Sequence, residues 1–177
     1  EAGLDAEVVP LDTESAAGGQ GLVVTEALRA AHEGLGVQDV LGAARNVVHR
    51  VTLLAYLDTL YYLWKGGRAP KVAHWGTSLL QIKPVFELRR GEVRTLGRPR
   101  TARRAVERMV HVMRRSPGTG PVHATVVHGA AGEAAEQLRR RVESEFSCLE
   151  LFTSEFSPVM GAHTGPGLLG IAFWREP

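Results

Sequence analysis

The sequence lacks most of the features that announce a particular chemistry. It has one cysteine, Cys148, which allows neither an internal disulfide nor a multi-cysteine metal site. In its strand-like context Cys148 reads as a small apolar residue rather than a reactive thiol. No run approaches the roughly twenty continuous apolar residues that span a bilayer, and the opening EAGLDAEVV has no basic-then-apolar signal. The expectation is a soluble, cytoplasmic protein without stable membrane insertion, to which only transient membrane contact is open. A net charge of +2 over 177 residues is too small for a protein that coats nucleic acid. GxxxxGK[ST], HExxH, GxSxG and GxGxxG are all missing, so nucleotide-binding, zinc-protease and hydrolase chemistry lack their local mechanics. No catalytic residue, metal site or cofactor is expected.

What is present is a regular alternation of strand and helix signals. EVVPL at 7–11 runs into the small residues of DTESAAGGQG and predicts one strand-to-helix step of a parallel sheet. Helical spacing follows at 20–33 and at 37–49, where Val37, Val40, Leu41, Ala44 and Val48 share a face. Beyond residue 50 come six strand candidates, 51–57, 82–88, 92–98, 122–128, 149–155 and 168–174. Arg89, Arg90 and Gly91 form a hairpin-type connection between the second and third of these. Amphipathic helices at 101–115 and 132–146 separate the later strands. The pattern predicts an α/β protein: residues 1–49 as the end of a parallel-sheet α/β/α first domain, and 50–177 as a two-layer α/β second domain with a mixed six-stranded sheet. A single parallel strand cannot bury both its faces, so the reading also expects a preceding α/β domain outside this chain.

Three segments could carry chemistry. DTLYYLWKGGRAP at 58–70 ends in a glycine turn flanked by Lys65 and Arg68, where backbone N–H groups and fixed charge would suit a carboxylate or phosphate, or which is simply a solvated basic loop. Tyr61, Tyr62 and Trp64 within it read as packing residues. In RPRTARRAVERM, Pro99 enforces an extended backbone from which Arg98 and Arg100 would point the same way and could grip one anion, while Arg103 and Arg104 fall in a first helical turn. In GAHTGPG at 161–167, His163 lies among three glycines and a proline; it reads either as a donor to an acidic head group or as a capped loop histidine. Elsewhere, His123 and His128 sit five apart on one strand, on opposite faces, which keeps them from sharing a metal. His74 and Ser78 at helical spacing read as a surface pair rather than a nucleophile and base.

Taken in order, DTESAAGGQGL at 12–22, DTLYYLWKGGR at 58–68, GTSLLQIKPVFEL at 76–88, GEVRTLGRPRT at 91–101 and SPVMGAHTGPGLLGIAFW at 157–174 resemble successive blocks of the DegV family of fatty-acid-binding proteins. The combination of GTSLLQIKP with GAHTGPG, in order and at this separation, carries the resemblance. It implies the DegV-like, EDD-type fold, with a long-chain fatty acid in an interdomain tunnel as the only ligand. It also implies a separate fatty acid kinase subunit as partner, which phosphorylates the bound carboxylate to an acyl phosphate for phospholipid synthesis in a bacterial cytoplasm. By the same resemblance, His163, Thr164 and Gly165 match the head-group end, and Arg68, Arg98 and Arg100 match positions facing phosphate or kinase. The family's hydroxyl residues that bond the carboxylate fall, by the same resemblance, in the first domain, mostly upstream of Glu1. The competing reading is a lipid- or small-molecule-sensing regulator on the same fold that transfers no phosphate.

Overall fold

The computed structural model describes residues 8–67 and 81–177. Its elements are α1 (Gly18–His32), α2 (Val37–Val48), β1 (Thr52–Tyr56), α3 (Tyr61–Lys65), β2 (Val85–Arg89), β3 (Glu92–Gly97), α4 (Ala102–Arg114), β4 (Val122–His128), α5 (Gly132–Glu145), β5 (Cys148–Glu155), α6 (Pro158–Thr164) and β6 (Leu169–Arg175). The six strands form one sheet in the order β3-β2-β1-β6-β4-β5. Only β4 and β5 run parallel, because α5 carries the chain back across the sheet between them; the other neighbours are antiparallel. The sheet is mixed, as the alternation of hairpin and crossover signals requires.

Every residue of β4, and of β6 up to Trp174, is buried, so both faces of the sheet centre must be covered. Period-two alternation divides the side chains. Val122, Ala124 and Val126 join Met109 and Met113 of α4 and Leu138 of α5 in one cluster. Val127, Ala172 and Trp174 point the other way and pack with Leu22 and Val23 of α1 and Val47 of α2. Residues 50–177 thus supply the sheet and the helices on one face, and α1 and α2 cover the opposite face. Gly18 fixes that second contact: a Cβ there would overlap the Thr125 methyl and lie 2.9 Å from Val127 Cγ1. Burying Leu22 and Val23 contributes roughly 1.5–3 kcal/mol each to holding α1 in place.

The β2–β3 hairpin turns on Arg90 and Gly91, both at positive φ (50° and 71°), the signature of a type I′ turn. The strand expected at 7–11 is not formed at residues 8–11, and Val8 is 85% exposed. A β-branched run becomes a strand only where a neighbour accepts its backbone hydrogen bonds, and no described segment pairs with this one.

His123 and His128 do face opposite sides. His123 is buried, stacked on Trp174 at 4.1 Å between centroids, with Nδ1 2.9 Å from Glu150 and Nε2 3.3 Å from Glu176. His128 accepts a hydrogen bond from the Ala131 N–H in the turn that starts α5. Cys148 is half-buried; burial first, and then the Glu143 charge, push its thiol up and away from the reactive thiolate. No helix among the described residues is long and apolar enough to cross a membrane.

Candidate functional site

The strand registers line up one row across the whole sheet: Gly97 opposite Val85, Val85 opposite Tyr56, Tyr56 opposite Leu169, Leu169 opposite His128, and His128 opposite Glu155. At this end β1, β3, β4 and β5 finish and β2 and β6 begin. The connections just beyond the row therefore converge: Arg98 after Gly97, Lys83 before Val85, Asp58 after Tyr56, Gly167 before Leu169 and Gly129 after His128. Because β1 and β6 are neighbours, α3, which follows β1, and α6, which precedes β6, are brought side by side.

The GAHTGPG segment is helical in its first half, which its glycines conceal. Pro158 opens α6 at a position that needs no N–H, and Gly165 closes it at φ 75° and ψ 171°, a region open essentially to glycine alone. The reason for Gly165 is steric as well as torsional: a Cβ there would overlap the Tyr62 ring of α3. Gly167, at φ 82°, has the Asp58 Cβ 2.8 Å from where its own would be. Asp58 in turn pairs with Lys83, and the Lys83 N–H donates to the Pro99 carbonyl at 2.7 Å. One chain of contacts thus runs from the glycine loop to the arginine segment.

His163 lies in the last turn of α6, half-buried, with Nδ1 3.1 Å from the position a Cβ would take at Gly66. Its imidazole has no hydrogen-bond partner among the described residues. Its neighbours are already committed: the Thr164 hydroxyl donates to the Met160 carbonyl at 2.9 Å, and the Gly165 N–H to the Gly161 carbonyl at 2.8 Å. Of the three residues expected at the head-group end, His163 alone has a side chain whose donor capacity is not taken up among the described residues. Tyr56, in the row itself, has its phenol pushed above its ordinary range by burial first and by the Asp58 charge second, so it stays a neutral donor.

Arg98 and Arg100 are exposed on either side of half-buried Pro99, as alternation along an extended segment requires. Three strand spacings separate β3 from β6, about 14 Å at 4.8 Å each. Arg98 and His163 therefore belong to the same sheet end, with β2 and β1 between their strands. Arg68, His74 and Ser78 lie outside the described residues. Two hollows border the row. One, of about 500 Å³, opens between Gly129, Phe156, Pro158 and Gly165, with Glu155 on its wall. The other, of about 390 Å³, lies between α4 and α5 over Tyr56 and Leu169, lined by Val106, Ala134 and Leu138 with Arg103 at its rim. Among the described residues no group of three histidine, cysteine, aspartate or glutamate side chains is placed to hold a metal.

The family model described as "Uncharacterised protein, DegV family" matches residues 1–176. The chain belongs to the DegV family. A DegV domain-containing protein of Streptomyces coelicolor is 35% identical over 162 residues, which cover 91% of this chain and 58% of that protein. Among solved structures, a DegV family protein from Thermus thermophilus described by its fatty acid binding superposes with a TM-score of 0.86 at 28% identity, over 97% of this chain and 62% of that one. The Streptococcus pneumoniae Fatty Acid Kinase (Fak) B3 protein loaded with linoleic acid superposes with a TM-score of 0.85 at 20% identity, over 97% of this chain and 61% of that one, a likeness of fold. The chain spans about three-fifths of the length of these relatives.

Within the DegV fold seen here, sequence reasoning named His163 and the arginine segment as candidates but not what surrounds them. Asp58 and Tyr62 lie in DTLYYLWKGGR, where Tyr62 read as packing with no stated contact, and Tyr56 carries no motif. The signal that could have found Tyr62 is the pair of glycines at 165 and 167, since a non-glycine contact has to fill the space each leaves.

Proposed function

We propose that this chain is part of a fatty-acid carrier, one that holds a long-chain fatty acid and presents its carboxylate to a separate fatty acid kinase for conversion to the acyl phosphate. The observation that carries the proposal is the imidazole of His163, without a hydrogen-bond partner among the described residues and held between α3 and α6 at the sheet end where the arginine segment also lies. The Thermus thermophilus relative, alike in fold and 28% identical, supports a fatty acid as the ligand. The pneumococcal Fak B3 protein supports the kinase partnership through its fold.

The chemistry fits these parts. Burying about fifteen methylenes at roughly 0.8 kcal/mol each offers on the order of 12 kcal/mol before ordering and association costs, so affinity resides in the tail. The apolar hollow over Tyr56 and Leu169 is suited to part of that tail. The carboxylate must stay ionised to attack the γ-phosphorus of ATP, and His163, with Thr164 and Gly165 beside it, supplies polar surroundings for it. In the transfer, a carboxylate oxygen bonds to phosphorus as the bond to ADP breaks, and the acyl phosphate carries more negative charge than the acid. We assign Arg98 and Arg100, with Arg68, to the phosphate and the kinase rather than to the carboxylate itself. Such a carrier works in the cytoplasm, beside the phospholipid synthesis it feeds.

The test uses the protein from its complete gene together with its acyl kinase. Arg98→Ala with Arg100→Ala is expected to lower acyl-phosphate formation about tenfold while leaving bound fatty acid in place. An unchanged rate would remove the arginines from the proposal. A protein that binds fatty acid but that no kinase accepts would instead favour the regulatory reading, in which occupancy alters partner binding and no phosphate moves.

A further inference from the structure

The other end of the sheet carries different chemistry. There β2 ends at Arg89, α4 ends at Arg114, and β1 begins at Thr52. A cleft of about 280 Å³ lies between β2 and the last turns of α4, walled by Arg89, Arg108, His111, Arg115 and the hydroxyl residues Thr52 and Ser116. It continues into a hollow of about 250 Å³ that adds Arg50 and Gly118 and shares Thr52, Arg89 and Ser116.

Ion pairing divides the arginines among the described residues, and exposed Arg45, Arg90, Arg100, Arg103 and Arg104, away from this cleft, have no carboxylate partner. Arg29, Arg94, Arg114, Arg139, Arg140 and Arg141 each pair with a glutamate. Arg50, Arg89, Arg108 and Arg115 form no ion pair with any carboxylate among the described residues. They come from three separate elements: the end of α2, the end of β2, and α4. The C-terminal dipole of α4 accounts for cations on its own last turns, but not for Arg50 and Arg89 arriving from elsewhere. Two glutamates share the walls, and of these Glu176 is engaged by another side chain. Glu87 lies opposite Arg94 on β3, and Glu176 has its Oε1 3.3 Å from His123 Nε2. Arg175 donates to the Ser116 hydroxyl at 3.1 Å and fixes that side of the wall. Arginines lining one cleft repel one another, and a dianion with several acceptor oxygens would offset that repulsion while matching their fork geometry.

We propose that this cleft is a second anion-binding site, which takes the phosphate-monoester or diphosphate group of a small ligand. It is separated from His163 by the length of the sheet, on the order of 20 Å for seven residues of strand, so the two sites cannot share one head group. The proposal does not depend on the fatty-acid reading.

Pyrophosphate titrated into the protein from its complete gene, followed by calorimetry and backbone amide NMR, tests it. Saturable binding at one site is expected, with amide shifts at Thr52, Arg89, Ser116 and Gly118. Arg89→Gln with Arg108→Gln is expected to weaken it about tenfold, whereas Arg103→Gln, at the other end of α4, leaves it unchanged. Should the double variant fail to melt cooperatively, Arg50→Gln alone is expected to weaken binding about threefold. Vesicles with phosphate-monoester headgroups, run in parallel, identify the source: retention on vesicles without a response to pyrophosphate assigns a lipid headgroup to the same cleft, provided the double variant loses it. No saturable binding to either probe, equal binding by the double variant, or shifts confined to residues around α6 would overturn the proposal.

Discussion

The ring of Tyr62 fills the space that a side chain at Gly165 would need, so α3 and α6 meet at a glycine held at φ 75°. Two penalties then act on Gly165→Ala, backbone strain of about 1–3 kcal/mol and the overlap with the ring. Urea melts are expected to show a loss of at least about 2 kcal/mol for Gly165→Ala. Tyr62→Ala in the same chain should recover the steric part only. Full recovery in the double variant would mean that the backbone at Gly165 is not strained.

Thr125 is fully buried beneath Gly18, and its hydroxyl oxygen has no hydrogen-bond partner among the described residues. A buried hydroxyl without a partner costs about 1–3 kcal/mol, and valine has nearly the same shape without that cost. Thr125→Val should therefore leave stability unchanged or raise it by about 1 kcal/mol. Gly18→Ala, which pushes α1 off the same spot, should lower it by about 1–3 kcal/mol. A destabilising Thr125→Val in thermal melts would show that the hydroxyl is satisfied in solution.

His123 joins β4 to β5 through Glu150 and to the chain end through Glu176, and Arg29 of α1 reaches the same Glu150 at 3.3 Å. Removing the ring leaves two carboxylates without their shared neighbour and uncovers the face of Trp174. His123→Ala is expected to cost about 2 kcal/mol and to change tryptophan emission. An unaltered melt with unaltered emission would contradict this placement.

The arginines of α4 and α5 hold the two helices together. The Glu107 carboxyl lies below its ordinary 4.5, chiefly because Arg141 donates to it, and it remains half exposed. A folded value below the unfolded one gives stability that is present above pH 4.5 and is lost as pH falls through the folded value. Screening keeps the effect near 0.5 kcal/mol. Glu107→Gln should therefore differ from the native protein by about that much at neutral pH, and the gap should close in acid. A gap that widens below pH 4.5 would reverse the sign.

The fold was legible wherever apolar spacing ran long enough to have a period. Met109, Val110 and Met113 marked α4, and the all-buried VHATVVH marked β4 to the residue. Two places were not legible, for different physical reasons. EVVPL has strand composition, but pairing depends on a neighbour that a local pattern cannot supply. α6 has seven residues, too few for periodicity, and its glycines read as loop although Pro158 and Gly165 are its start and stop. The candidate site shows the same division. His163 and Arg98 were visible as residue types in unusual surroundings, whereas the row from Gly97 to Glu155 that sets their separation exists only through strand register.

The central claim is that this site holds the head group of a fatty acid. Native mass spectrometry with lipid extraction, on the protein expressed from its complete gene, tests it most directly. The account predicts one co-purified fatty acid per chain, with occupancy reduced in His163→Ala. A protein that is reproducibly empty and does not take up added fatty acid would contradict it.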